Sequence, residues 1–209
     1  MKQLILLITF CLLSLGAQSQ TESGIVVSGG IGNIQTKLNS SVQEKATPYD
    51  IDYKYNVSLG YRFRLHATKT PSLFYDLDAG LGMKSWHSTY GKTSGVPPTY
   101  EATSNMFSVF GSGTVNYSIY KGLSIGTGLQ PTYYFYQNGE NNKNKFDIPV
   151  VAKIAYRFKA LEIGISYKHG LMNTLKTDYL KSGKLREYNV SVWIPFCFGS
   201  DKLLIHLPT

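Results

Sequence analysis

The sequence predicts an all-β chain, an eight-stranded antiparallel up-and-down transmembrane β-barrel behind an export signal. Three observations carry that expectation. Segments that alternate apolar and polar residues with period two recur along the chain, and none shows the 3.6-residue period of an amphipathic helix. The connections between these segments alternate in length, as in a meander with two different ends. The polar face is built at mid-strand from Gly and Ser, while aromatic residues gather toward the ends of the apolar face.

The eight segments are about 24–36, 51–64, 72–86, 105–120, 123–137, 146–158, 161–173 and 187–198. Residues 37–50, 87–104 (with Pro97-Pro98) and 174–186 read as long connections, and 138–145 ("NGENNKNK") as a medium one. Residues 65–71, Lys121-Gly122 and Lys159-Ala160 read as short connections. In 51–64, Tyr53, Tyr55, Val57, Leu59, Tyr61 and Phe63 oppose Lys54, Asn56, Ser58, Gly60, Arg62 and Arg64. In 187–198, Tyr188, Val190, Val192, Ile194, Phe196 and Phe198 oppose Glu187, Asn189, Ser191, Trp193, Pro195 and Cys197. In 123–137, Gly126 and Gly128 fall on the small, polar face. Tyr133 and Phe135 fall on the apolar face, with Tyr134 and Tyr136 on the interior or rim side. Proline cannot donate to a sheet ladder, so Pro131 predicts a bulge or local distortion, and Pro149 and Pro195 are awkward for the same reason.

A soluble sandwich or lipocalin-like carrier would alternate too, with its apolar face inward. Mid-strand Gly80, Gly82, Ser108, Ser112, Gly126, Gly128, Gly164 and Ser166 argue for the opposite orientation. Small residues suit the narrow inside of eight closed strands, whereas a solvent-facing strand carries larger polar groups. A closed barrel also satisfies every backbone group in lipid, and each segment reaches the roughly 9–11 residues a tilted strand needs to cross.

Composition agrees. The chain has 209 residues, with 13% aromatic and 16% charged. That is too apolar for disorder and below the charge of about 25% usual in soluble domains. Lys2, the apolar run 4–15 and Ala17-Gln18-Ser19 make an export signal over residues 1–19, with cleavage before Gln20. The run is shorter than the ~20 residues of a membrane helix, and Cys11 within it lacks a lipoprotein-type context. The domain division is therefore signal 1–19, barrel 20–198 and tail 199–209. Removing the signal takes only Lys2 from the charges, so the net charge of +8 becomes +7. That suits anionic surfaces without specificity, and nucleic acid is not an expected partner of an exported chain. Cys197 alone remains after cleavage, so no internal disulfide forms.

The inward register collects Lys54, Arg62, Arg64, Lys84, Lys153, Arg157 and Lys168 with Asp76, Asp78, Asp147, Glu162 and Glu187. Unpaired charges in a narrow barrel are costly, so the mixed signs predict a paired network that fills the interior and leaves no wide pore. A proton or ion path along these groups is the competing reading.

No cofactor, metal or catalytic site is expected. His66, His87, His169 and His206 are scattered without ligand spacing. Cys197 reads as a packed thiol, and Gly111-Ser112-Gly113 lies within a strand, where it cannot form a phosphate loop. "SYKHGLMN" (166–173) faintly resembles the membrane-facing His-x-Ser site of outer-membrane lipid A deacylases, with His169 as base. Leu171 occupies the serine position, so the nucleophile is missing.

Taken together, the export signal "LLSLGAQSQ", the eight alternating strands, the long-short connections and the last strand "YNVSVWIPFCF" resemble the small outer-membrane β-barrel family of OmpX/OmpA-barrel type. They are also similar to the "outer membrane protein beta-barrel domain" proteins of Bacteroidetes. The tail "GSDKLLIHLPT" departs from a family whose last strand often ends the chain. The resemblance implies outer-membrane location in a Gram-negative bacterium, insertion by the barrel-insertion machinery, and no particular activity. The function expected is non-enzymatic and exercised through surface loops, in a structural, adhesion or secretion-machinery role. A protein partner at those loops is part of this expectation. Lys176, Lys181, Lys184 and Arg186 are candidates to meet lipopolysaccharide phosphates. The alternatives are a soluble exported carrier of an apolar ligand and an outer-membrane lipid-modifying enzyme.

Overall fold

The structure is a computed structural model and describes residues 21–38, 49–91, 100–138, 144–175 and 180–196. The signal segment 1–19, Lys176, Cys197, Phe198 and the tail 199–209 lie outside the described residues.

Ten strand segments follow one another: β1 (Thr21–Leu38), β2 (Tyr49–His66), β3 (Leu73–Tyr90), β4 (Tyr100–Tyr120), β5 (Leu123–Leu129), β6 (Thr132–Asn138), β7 (Phe146–Asp147), β8 (Pro149–Arg157), β9 (Glu162–Gly170) and β10 (Leu180–Phe196). All pair antiparallel. β5 with β6, and β7 with β8, each make one stave of the wall, because both segments of a pair lie beside the same neighbours. The result is a ring of eight staves. β1 pairs with β2 on one edge and β10 on the other, and the β3–β4 and β9–β10 ladders complete the circuit. Closure removes the free edges that a single sheet of this length would expose.

Period-two alternation places apolar side chains outside. Leu59 (58% exposed), Leu81 (60%) and Ile165 (65%) project outward, together with Val27, Val57, Val109, Ile154 and Val190. Inward positions are buried and largely polar, among them Arg62, Arg64, Asp76, Lys153, Glu162 and Glu187. Small residues make room for the larger inward ones. A Cβ at Gly80 would come within 2.9 Å of the Phe110 ring, and one at Gly60 within 3.4 Å of it. Gly122, in the tight β4–β5 turn, has φ 86°, a left-handed backbone that glycine adopts without steric cost.

The ladder breaks at Pro131. β5 ends at Leu129 and β6 begins at Thr132. The Pro131 carbonyl still accepts from the Gly111 N–H at 3.0 Å, and the Gln130 N–H donates to Pro149 O at 2.9 Å. The neighbouring stave breaks at Ile148, immediately before Pro149. Pro195 is tolerated because it lies beyond Trp193, the last β10 residue paired with β9.

Three expectations are corrected. The strands run further than the sequence pattern suggested, so 49–50, 87–90, 100–104 and 180–186 belong to strands and not to the long connections 37–50, 87–104 and 174–186. Ladder pairing such as His87↔Thr103 carries these stretches where apolar alternation fades. Second, Lys54 does not face the interior. A bulge between Tyr53 and Tyr55 makes Lys54 the extra residue, and it pairs outside with Asp52 at 2.5 Å. Tyr53 turns inward in consequence and is 8% exposed. Third, a bulge opposite Phe107/Ser108 makes Phe135 the extra residue, so Tyr136 turns outward and meets the Phe107 ring with centroids 5.7 Å apart.

Candidate functional site: the charged lumen

The termini of the barrel wall and the short connections 67–72, 121–122 and 158–161 share one end of the ring, the turn end; the other is the loop end. The lumen differs between them.

Toward the turn end, β2 and β3 register Arg62 opposite Asp78 and Arg64 opposite Asp76. Both pairs are two-pronged. Arg62 donates from Nε and Nη2 to Asp78 at 2.8 and 2.9 Å, and Arg64 likewise to Asp76 at 2.7 and 3.0 Å. From across the lumen Glu162 of β9 accepts from Arg64 at 2.6 and 2.9 Å and from Arg62 at 3.2 Å. Lys153 of β8 reaches Asp76 at 2.6 Å. Three cations therefore meet three carboxylates. The Arg64 guanidinium is also stacked between Phe74 and Trp193, 4.3 Å from each ring centre. Planar, delocalised arginine suits this double role, since it can fork onto carboxylates in its plane and stack through its faces. At the mouth, Arg157 bonds Glu22 at 2.7 Å and His66 lies 3.1 Å from the same carboxylate.

Higher up, Lys84 of β3 meets Glu187 of β10 at 2.5 Å, and Tyr53 donates to that carboxylate at 3.0 Å. Lys84 also donates to the Tyr134 hydroxyl at 3.2 Å. Asp147 is fully buried, yet among the described residues it forms no ion pair in the network. It accepts from the backbone N–H groups of Ile148 (2.8 Å) and Met172 (3.1 Å), which holds the start of the β9–β10 connection inward. Lys168 faces the lumen at mid-height and lies 6.0 Å from the Phe110 ring.

Above these charges the lumen turns apolar. Tyr53, Trp86, Met106, Tyr134, Leu175 and Leu185 form a buried cluster, with Ile34 and Ile51 against it. Leu175 enters from the β9–β10 connection and is fixed by its N–H to the Gly183 carbonyl at 3.0 Å. Asn144 bonds the carbonyl of Asn173 in the same connection.

Eleven of the twelve expected interior charges therefore face inward, and Lys54 does not. The arrangement adds Glu22, which sequence reasoning missed by starting the first strand at 24. The even-numbered inward parity of β1 (Gly24, Val26, Ser28), extended by one step, finds it. The apolar cluster was missed as well. Among the described residues the lumen includes a mid-lumen cavity of about 50 Å³ and another of about 90 Å³ at the turn end. Each has room for no more than a few water-sized occupants, and Arg62 lines the first while Arg64 and Glu162 line the second.

The candidate surface residues lie on β10 near the loop end. Lys181 is exposed, Lys184 is half-buried and in register with Gln35, and Arg186 donates to Gln35 at 2.7 Å. His169 faces outward beside Tyr167, 3.4 Å from its hydroxyl, with Leu171 exposed two positions on. His66 and His87 lie at opposite ends of adjacent strands; His87 bonds Thr103 at 3.2 Å. Among the described residues, no three His, Cys, Asp or Glu side chains gather as a metal site would require.

No family model and no curated protein matches this chain. Among solved structures it is similar to the outer membrane protein OprG from Pseudomonas aeruginosa, with 10% sequence identity and a TM-score of 0.40 over 84% of this chain and 91% of that one.

Proposed function

We propose that this chain is a non-enzymatic β-barrel of a Gram-negative outer membrane, without an open pore, that acts through its loop end. The observation that carries the reading is the inverted polarity of the wall. Large apolar side chains cover the outside of all staves, while arginines, lysines and carboxylates are buried within. In water this arrangement would expose a continuous apolar belt, which soluble monomers avoid. In lipid it satisfies both the belt and the closed backbone. A lipocalin-like carrier needs an open apolar cup inside, whereas this lumen is occupied by paired charges toward the turn end and by a packed apolar cluster toward the loop end.

The pore-less part of the proposal rests on the two plugs, the arginine–carboxylate layer below and the apolar cluster above. The role at the loop end is structural, adhesive or part of a secretion machine, in the manner of small barrels of OmpX/OmpA type and their Bacteroidetes counterparts. Lys181 and Lys184 are the side chains offered to lipopolysaccharide phosphates, and a protein partner would also dock at this end. The lipid-modifying alternative lacks the serine of the His-x-Ser pattern, whose position Leu171 holds.

Fractionation of cells expressing the full chain tests the location. The protein is expected in the outer-membrane fraction, with heat-modifiable migration in detergent gels; a freely soluble periplasmic protein would sink the proposal. Reconstitution in planar bilayers tests the plugs, and stable open conductance by the wild-type protein would refute them.

A further inference from the structure

Lys168 differs from the other cations of the lumen. Arg62, Arg64, Lys84, Lys153 and Arg157 each have a carboxylate within 4.0 Å. Among the described residues no such ion pair involves Lys168; its contact is the Phe110 ring, 6.0 Å away on the opposite wall. Glu187 stands beside it in register, but that carboxylate already takes Lys84 at 2.5 Å and the Tyr53 hydroxyl at 3.0 Å. Asp78, which faces the same space, is held two-pronged by Arg62. Lys168 opens instead onto the mid-lumen cavity of about 50 Å³, walled by Phe110, Ser112, Thr114, Ser166 and Ser191.

We infer that this cavity binds a small monatomic anion of the halide class, with the Lys168 ammonium as its counter-charge and serine hydroxyls as further donors. The physical reason is the cost of an ammonium turned into the lumen that, among the described residues, has a ring contact but no carboxylate within ion-pair distance. A hydroxyl rotates to suit its ligand, so the serine lining solvates an anion as readily as water. Size sets the class: the cavity has the volume of a few waters, which admits chloride or bromide with a water beside it and excludes large organic anions. On the pore-less reading proposed above, the Arg62–Arg64–Glu162 layer lies below it and the apolar cluster above, so the ion is a structural occupant and not a permeant one.

The test uses the full mature barrel refolded in detergent, with thermal unfolding followed by circular dichroism in sodium chloride or sodium gluconate of equal ionic strength. A ligand that binds only the folded state lowers the unfolding constant by the factor 1 + [L]/Kd. Chloride at nine times its Kd thus gives a tenfold drop, saturable and absent in gluconate. Lys168→Met is expected to unfold at the same temperature in both salts. Crystals of the wild-type protein grown in bromide are expected to show an anomalous peak beside Lys168, which keeps the test decisive should the variant fail to refold. Equal wild-type stability in the two salts, with no bromide peak in the cavity, would overturn the inference in favour of a merely hydrated lysine. A chloride effect that persists undiminished in a folded Lys168→Met protein would overturn it too.

Discussion

The two halves of the lumen are held by different physics. Near the turn end, Arg62 and Arg64 bind Asp76, Asp78 and Glu162 through directional, charge-assisted bonds that tie β2 and β3 to β9 across the bore. Near the loop end, Tyr53, Trp86, Met106, Tyr134, Leu175 and Leu185 fill the bore by shape. A charged layer tolerates almost no truncation, because each loss strands a partner out of water. An apolar layer fails gradually, by the cavity it leaves. The comparison teaches that the bore is filled in two ways, electrostatically and by packing, and that on the pore-less reading proposed above these are two seals that break differently.

The largest effect is expected from Arg64→Ala. It leaves Asp76 and Glu162 short of a buried partner, which costs about 3–5 kcal/mol, read by urea unfolding in detergent micelles. Trp86→Ala is expected to cost somewhat less, ~3 kcal/mol from the cavity term. It leaves the lower seal intact, as Arg64→Ala leaves the upper one, so each single variant should stay closed in planar bilayers and only the double variant should conduct. Stable conductance by either single variant would break the two-seal account. Lys54→Met is expected to be the mildest change. Its pairing with Asp52 lies outside, with side chains 48% and 61% exposed, and such pairs contribute about 0–1 kcal/mol. A loss comparable to that of Arg64→Ala would mean that Lys54 belongs to the lumen after all.

The same contrast runs through what the sequence made legible. The turn-end layer was readable because Arg62, Arg64, Asp76 and Asp78 sit on regular strands, where parity alone decides which side a residue faces. Pro131 announced its own break through a missing donor. The loop-end layer was not readable. Bulges at Lys54 and Phe135 each insert one residue and reverse the parity beyond them, sending Tyr53 in and Tyr136 out, and nothing in the local composition marks either. Leu175 lies beyond the end of β9 and reaches the bore through the β9–β10 connection, held by Asp147 and Gly183. Period-two reasoning has no means to place a side chain that is not on a strand. It likewise could not say that Lys168, alike in type and inward facing to Lys153, would stand apart from the ion pairs.

The central claim is that the apolar face meets lipid and the charged face the lumen. Both tryptophans, Trp86 and Trp193, point inward and are 1% exposed, so quenching by lipids brominated along their acyl chains tests the claim directly. In vesicles of such lipids the wild-type emission is expected to be little quenched, whereas Leu81→Trp, which adds a reporter on the outer face, is expected to add a strongly quenched component. Strong quenching of the wild-type tryptophans, or an added component in the Leu81→Trp protein that the brominated chains leave untouched, would contradict it.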